Sequence, residues 1–168
     1  MNVEAPISSE MTNTYLSMTW NLEGFSRNVY NLKYFAAHHQ IDFVFISEPQ
    51  IYQCDVELSM ASLKGEYCYA LNSADKYDQE LPLVKPKAHG GTMILWKVSH
   101  DPYISVHPVS SASILPIIFN PPDSPTSIHI AVYLPTHGQD CKFVEELSSL
   151  EICLQELHDL FISVEILM

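Results

Sequence analysis

The apolar and polar positions of this chain fall into short, distinct runs. "TYLSMTWN" (14–21) is rich in β-branched and aromatic residues and predicts a strand, which Gly24 ends. From Asn28 onward, Val29, Leu32, Phe35 and Ala36 recur at helical spacing, so an amphipathic helix is expected over roughly 28–39. "IDFVFIS" (41–47) is apolar on both faces, as a strand buried between two layers would be. Strand, helix and strand within about 35 residues make a βαβ crossover with parallel strands. Asn21 and Glu48 then sit at the carboxyl ends of their strands, the edge where α/β sheets place ligands. Both can face one pocket.

The middle of the chain reads as β-rich. "GEYCYALN" (65–72) and "GGTMILWKV" (90–98) flank a polar stretch, 73–87, expected to be a surface loop. "YISVHPV" (103–109), "SILPIIF" (113–119) and "SIHIAVYLP" (127–135) follow, with "NPPDSP" marking a sharp turn. Pro116 inside its run points to an edge strand or a bulge. In the last run Ile128, Ile130 and Val132 share one face, while His129, Ala131 and Tyr133 share the other. From Asp140, a plausible N-cap, Phe143, Leu147, Leu150, Leu154, Leu157 and Phe161 form a stripe with Glu145, Glu146, Glu151 and Glu156 off it. A long helix docked on the domain's own sheet is expected, in preference to a coiled coil of fewer than three heptads. Without repeats or a linker, the reading is one domain, 14–168, after a flexible N-terminus, 1–13.

Composition narrows the class. At 168 residues, 47% hydrophobic and 17% charged, the chain can bury a real core. None of its apolar runs approaches the roughly 20 residues of a bilayer span. "MNVEAPISSEMTNT" has no basic segment followed by an apolar one, so an intracellular protein without membrane attachment is expected. Cys54, Cys68, Cys141 and Cys153 lack a C-x-x-C pair and read as reduced thiols. His38, His39, His89, His100, His107, His129 and His137 show no metal-ligand spacing and read as surface or satisfied histidines. The net charge of −12 repels phosphate, an obstacle that carboxylates gathered around a divalent cation can overcome locally.

Four segments in order, "TWNLEGFSRN" (19–28), "IDFVFISEPQ" (41–50), "HGGTMILWK" (89–97) and "AVYLPTHGQD" (131–140), resemble the endonuclease/exonuclease/phosphatase family. Within it they are most similar to the endonuclease domain of non-LTR retrotransposon polyproteins. The resemblance runs from about Tyr15 to Leu160 and covers roughly the first two-thirds of the family domain. It implies a partial four-layer αββα sandwich of the deoxyribonuclease-like kind, in the α/β (α+β) class, with C-terminal strands missing. It also implies a Mg²⁺-dependent phosphodiesterase of the DNA endonuclease type, with Mn²⁺ as an alternative ion and DNA as partner.

The resemblance assigns roles residue by residue. Asn21 contacts the scissile phosphate; Glu48 is the principal metal ligand; Glu23 assists the metal; Tyr133 of "Y-x-P" points its hydroxyl at phosphate or leaving group. Gly90 and Gly91 let the backbone approach closely, and Thr136 stands where many relatives place a phosphate-binding Asn. Each has a plainer explanation: a turn cap for Asn21, exposed loop acids for Glu48 and Glu23, a rim aromatic for Tyr133. The sequence also departs from the family. It contains no "GDFN"-type word, whose Asp orients the attacking water, and no late Asp-His pair; His158-Asp159 is reversed and too early. The strand leading to "GDFN" is expected to be absent. Losses of several kcal/mol in transition-state stabilisation follow, so the chain is expected to be impaired. The alternative is a catalytically dead fragment that acts as an interaction or binding module, or self-associates, through an exposed sheet edge.

Overall fold

The computed structural model describes residues 14–73, 88–108, 111, 113–122, 124–134, 140–156 and 161–167, of which 140–142 and 161–167 are described by their backbone alone. The expectations for residues 1–13, the loop after Ser73, Thr136, His137, His158 and Asp159 lie outside the described residues. The elements are β1 (Ser17–Asn21), α1 (Phe25–His38), β2 (Phe43–Ser47), α2 (Val56–Met60), β3 (Tyr67–Asn72), β4 (Thr92–Lys97), β5 (Ile104–Val106), β6 (Ile114–Phe119), β7 (Ser127–Tyr133), α3 (Asp140–Glu156) and β8 (Phe161–Leu167). They form two four-stranded sheets, ordered β1-β2-β4-β3 and β5-β6-β7-β8.

β1 and β2 pair in parallel, as a βαβ crossover requires, and β4 runs antiparallel to both β2 and β3. Every residue of β2 is buried because both its faces are covered. Phe43 and Phe45 point between the sheets, against Leu115, Ile117 and Phe119, whereas Val44 and Ile46 point outward onto α1 and α2. Full burial of each such side chain contributes about 1.5–3 kcal/mol. α1 answers with Phe25, Val29, Leu32 and Ala36, one apolar stripe at the spacing read from the sequence. The helix starts three residues earlier than expected. Gly24, at φ 116°, turns the chain so that the Gly24 and Phe25 amides donate to the carbonyls of Glu48 and Pro49 at 3.1 and 2.8 Å. Asn28 then reaches back from inside the helix to the carbonyls of Leu22 and Gly24.

The second sheet buries Ile128, Ile130 and Val132 beneath α3, which contributes Leu150, Cys153 and Leu154. Helices on both outer faces of two stacked sheets make the four-layer αββα arrangement, in partial form. Two expectations need correction. Pro116 lies in an interior strand: it pairs with Ile130 of β7, and its carbonyl accepts the His107 amide just where β5 runs out. The proline is tolerated because the short β5 asks for no amide there. The terminal helix is also shorter than the stripe suggested. It stops at Glu156, and "FISVEIL", rich in β-branched residues, forms β8 parallel to β7 instead, so one strand expected to be missing is present. Phe143 and Leu147, the first two positions of the stripe, are 38% and 40% exposed. Among the described residues no helix is long and apolar enough to cross a membrane, and Cys54, Cys68 and Cys153 form no disulfide.

Candidate active site

β1 ends at Asn21, whose cross-strand partner in the parallel ladder is Ser47, the last residue of β2. Glu48 follows immediately. Its amide donates to the Gly91 carbonyl at 3.1 Å, and the Gln50 amide donates to the Gly90 carbonyl at 3.3 Å. The carboxyl ends of β1 and β2 and the approach to β4 are thereby tied at one edge of the first sheet. Gly90 and Gly91 adopt φ of 60° and 89°, the close backbone approach expected of them.

Four non-glycine residues among those described have left-handed backbone: Glu23, Gln40, Glu48 and Gln50, with φ between 43° and 54°. Three of them lie in the two loops of this edge. Each such conformation costs about 1–2 kcal/mol, and such strain clusters where a loop must aim particular groups. The hydrogen bonds from Glu48 and Gln50 to the diglycine hold the loop in place against it.

Tyr133 comes from the other sheet. It ends β7, and its hydroxyl donates to Glu48 Oε1 in a short hydrogen bond that spans the two sheets at one end of the sandwich. That bond, with burial and the negative charge of Glu48 adding to it, pushes the phenol up to about 12. Tyr133 therefore keeps its proton at neutral pH and acts as a donor. Asn21 is exposed, and its Oδ1 accepts the Glu23 amide at 3.3 Å, so any donation from this side chain comes from Nδ2. Glu23 is exposed beside it.

Asn21, Glu48 and Tyr133 thus share one end of the molecule, with Glu23 adjacent. Among the described residues no group of three or more His, Cys, Asp or Glu could hold a metal. A hard cation that keeps several waters needs fewer protein ligands, and one carboxylate with an amide nearby fits an ion of that kind. The histidines fit the reading of satisfied residues where they are described: His129 stacks on Phe43 with centroids 4.6 Å apart and meets Ser127 Oγ at 3.0 Å, and His100 meets Asp42. Sequence reasoning missed Gln50. Its Oε1 is buried without a hydrogen-bond partner, as is Ser47 Oγ. A polar residue straight after a strand end and a proline was the available signal.

No family model matches the chain, and no curated protein matches it. Solved structures do share its fold. The endonuclease domain of TRAS1, a telomere-specific non-LTR retrotransposon, is 13% identical with a TM-score of 0.55 over 84% of this chain and 54% of that one. An AP endonuclease from Leishmania major is 14% identical, TM-score 0.57, over 84% and 47%. The 3′ phosphatase NExo from Neisseria, bound to product DNA hairpin, is 12% identical, TM-score 0.60, over 89% and 56%. The chain spans about half the length of these structures, and the likeness is one of fold.

Proposed function

We propose that the edge formed by Asn21, Glu48 and Tyr133 is the cation- and phosphate-positioning half of a Mg²⁺-dependent phosphodiesterase site acting on DNA. One observation carries this reading: the hydrogen bond from Tyr133 to Glu48 brings a phenol from one sheet onto a carboxylate from the other, beside an amide at the end of β1. The shared fold with a retrotransposon endonuclease and an AP endonuclease supports it.

Glu48, with Glu23 assisting, would hold the ion, Mg²⁺ or Mn²⁺. A divalent ion held there supplies positive charge to a bound phosphodiester and offsets the −12 of the chain. Asn21 Nδ2 donates to a non-bridging phosphate oxygen without adding negative charge. Tyr133 stays protonated beside Glu48, and its one hydroxyl proton would turn from Glu48 to a phosphate or leaving oxygen once the ion occupies the carboxylate. Thr136 is assigned a further phosphate contact. The 168 residues contain no "GDFN"-type Asp to orient the attacking water, so hydrolysis by this chain alone is slow.

That same lack favours a second reading, a binding module that holds nucleic acid or a partner without turnover, with self-association at a sheet edge as one route. Fluorescence anisotropy with a short duplex, joined to nicking of supercoiled plasmid, separates the outcomes. Mg²⁺-dependent DNA binding that EDTA and Glu48→Ala both remove is expected, with little nicking. Binding indifferent to EDTA and to Glu48→Ala would overturn the site. Robust nicking lost in Glu48→Ala would overturn the impairment.

A further inference from the structure

A separate groove of about 440 Å³ lies at the far end of β4 from this edge, along β3, the outer strand of the first sheet. The backbone of β3 is paired on one side. Glu66 O accepts the Val98 amide at 3.0 Å, so the bonded pairs are 66/98, 68/96 and 70/94. The backbone N–H and C=O groups of Tyr67, Tyr69 and Leu71 therefore point away from β4. Among the described residues no strand pairs with them.

The groove is lined by Met60 and Tyr69 on one face of the sheet and by Cys68 and Trp96 on the other, with one carboxylate, Glu57 or Asp101, beside each. On the side of α2, Glu57 Oε1 accepts the Tyr69 hydroxyl at 2.5 Å. On the other side, Asp101 Oδ1 accepts the indole N–H of Trp96 at 2.9 Å. Neutral aromatic donors thus aim both carboxylates and leave their charge in place. Elsewhere in the protein carboxylates meet cations: Asp42 lies 2.8 Å from Lys97, and Glu66 lies 2.6 Å from Lys33. Lys64 is the lone cationic residue in the groove's lining, against two acids, on a chain of net charge −12.

We propose that this groove binds an extended, basic peptide segment as an added fifth strand on β3. The outward backbone groups of Tyr67, Tyr69 and Leu71 would pair with the peptide backbone. Consecutive side chains of a strand point to opposite faces. Glu57 is reached from the face of Tyr69, and Asp101 from that of Trp96 and Cys68, so two adjacent basic side chains would meet one carboxylate each. A ligand bearing phosphate is disfavoured by the same two acids.

The test is fluorescence anisotropy with the full 168-residue chain and a labelled eight-residue peptide that carries two adjacent arginines among threonines and valines. Saturable binding is expected that weakens by about tenfold in Glu57→Gln/Asp101→Asn, since loss of close charge pairs acts chiefly on affinity and salt dependence. Both replacements keep an acceptor oxygen for Tyr69 and Trp96, and unchanged thermal unfolding confirms that the pair still folds. Lys64→Glu, at an exposed position, is expected to tighten binding by about threefold. N-methylation of alternate peptide amides should abolish it, because those amides would supply the strand pairing. No binding at any accessible concentration overturns the proposal. So does equal affinity for a peptide with two glutamates, binding untouched by N-methylation, or displacement by spermidine as effective as by the peptide.

Discussion

His129 gives the sharpest quantitative expectation. It projects from β7 into the layer between the sheets, stacked on Phe43 and close to Phe45 and Phe119. Burial there disfavours the imidazolium and lowers its pKa from 6.5 to about 4. Because the folded value lies below the unfolded one, the neutral ring is favoured in the fold. Stability is complete above pH 6.5 and falls as the pH drops toward 4, since protons then bind the unfolded chain more readily. At 1.36 kcal/mol for each unit of difference, the total is on the order of 3 kcal/mol, of which about 2 kcal/mol is lost between pH 7.5 and pH 5. For a chain of this size that lowers Tm by about 4–8 °C. Asp42 adds little in that window. Asp42 is pushed up by burial but held lower overall by hydrogen bonds from Lys97, the Leu16 amide and His100, so its contribution is lost only at more acidic pH. Differential scanning calorimetry on the protein and on His129→Leu, at both pH values, measures the effect. The variant should lose most of the drop. An equal drop in both proteins would refute the placement of His129 between the sheets.

Three further outcomes follow from local geometry. Gln40, two residues past the end of α1 at φ 54°, stands where a helix terminus favours glycine, so Gln40→Gly should raise stability by about 0.5–1 kcal/mol in urea denaturation. Tyr67→Phe removes the buried hydroxyl that donates to the Ile41 carbonyl at 2.8 Å and should cost about 1–2 kcal/mol by the same assay. Phe45→Ala empties a fully buried site between the sheets; a loss of about 3–5 kcal/mol is expected, and a cost below 1 kcal/mol would contradict the packing described.

Much of this architecture was legible in the order of apolar runs. β2 announces itself because a strand covered on both faces has no polar positions to spare, and the alternation of Ile128, Ile130 and Val132 against His129, Ala131 and Tyr133 correctly divides β7 between two cores. α1 was legible from its stripe, but its start was not, because it is fixed by hydrogen bonds from the Gly24 and Phe25 amides to the carbonyls of Glu48 and Pro49, which lie outside the helix. The end of α3 departs from its stripe for a related reason: Leu157 and Phe161 extend a helical stripe by spacing alone, whereas tertiary pairing with β7 decides that the residues after 160 form a strand. At the candidate site, the carboxyl-end positions of Asn21 and Glu48 could be inferred from the βαβ pattern. The left-handed backbone at Glu48 and Gln50 could not, because it arises from the closeness of the Gly90–Gly91 turn, distant in sequence.

Glu48, brought against Tyr133 across the two sheets, is proposed to hold a divalent cation. Titration of Mn²⁺ into the protein, followed by water-proton relaxation or electron paramagnetic resonance, tests it without reference to turnover. One site is expected in the unaltered chain, weakened by at least about tenfold in Glu48→Gln, where one unit of ligand charge is gone, and retained in Tyr133→Phe. Equal Mn²⁺ affinity in the unaltered chain and in Glu48→Gln would contradict it.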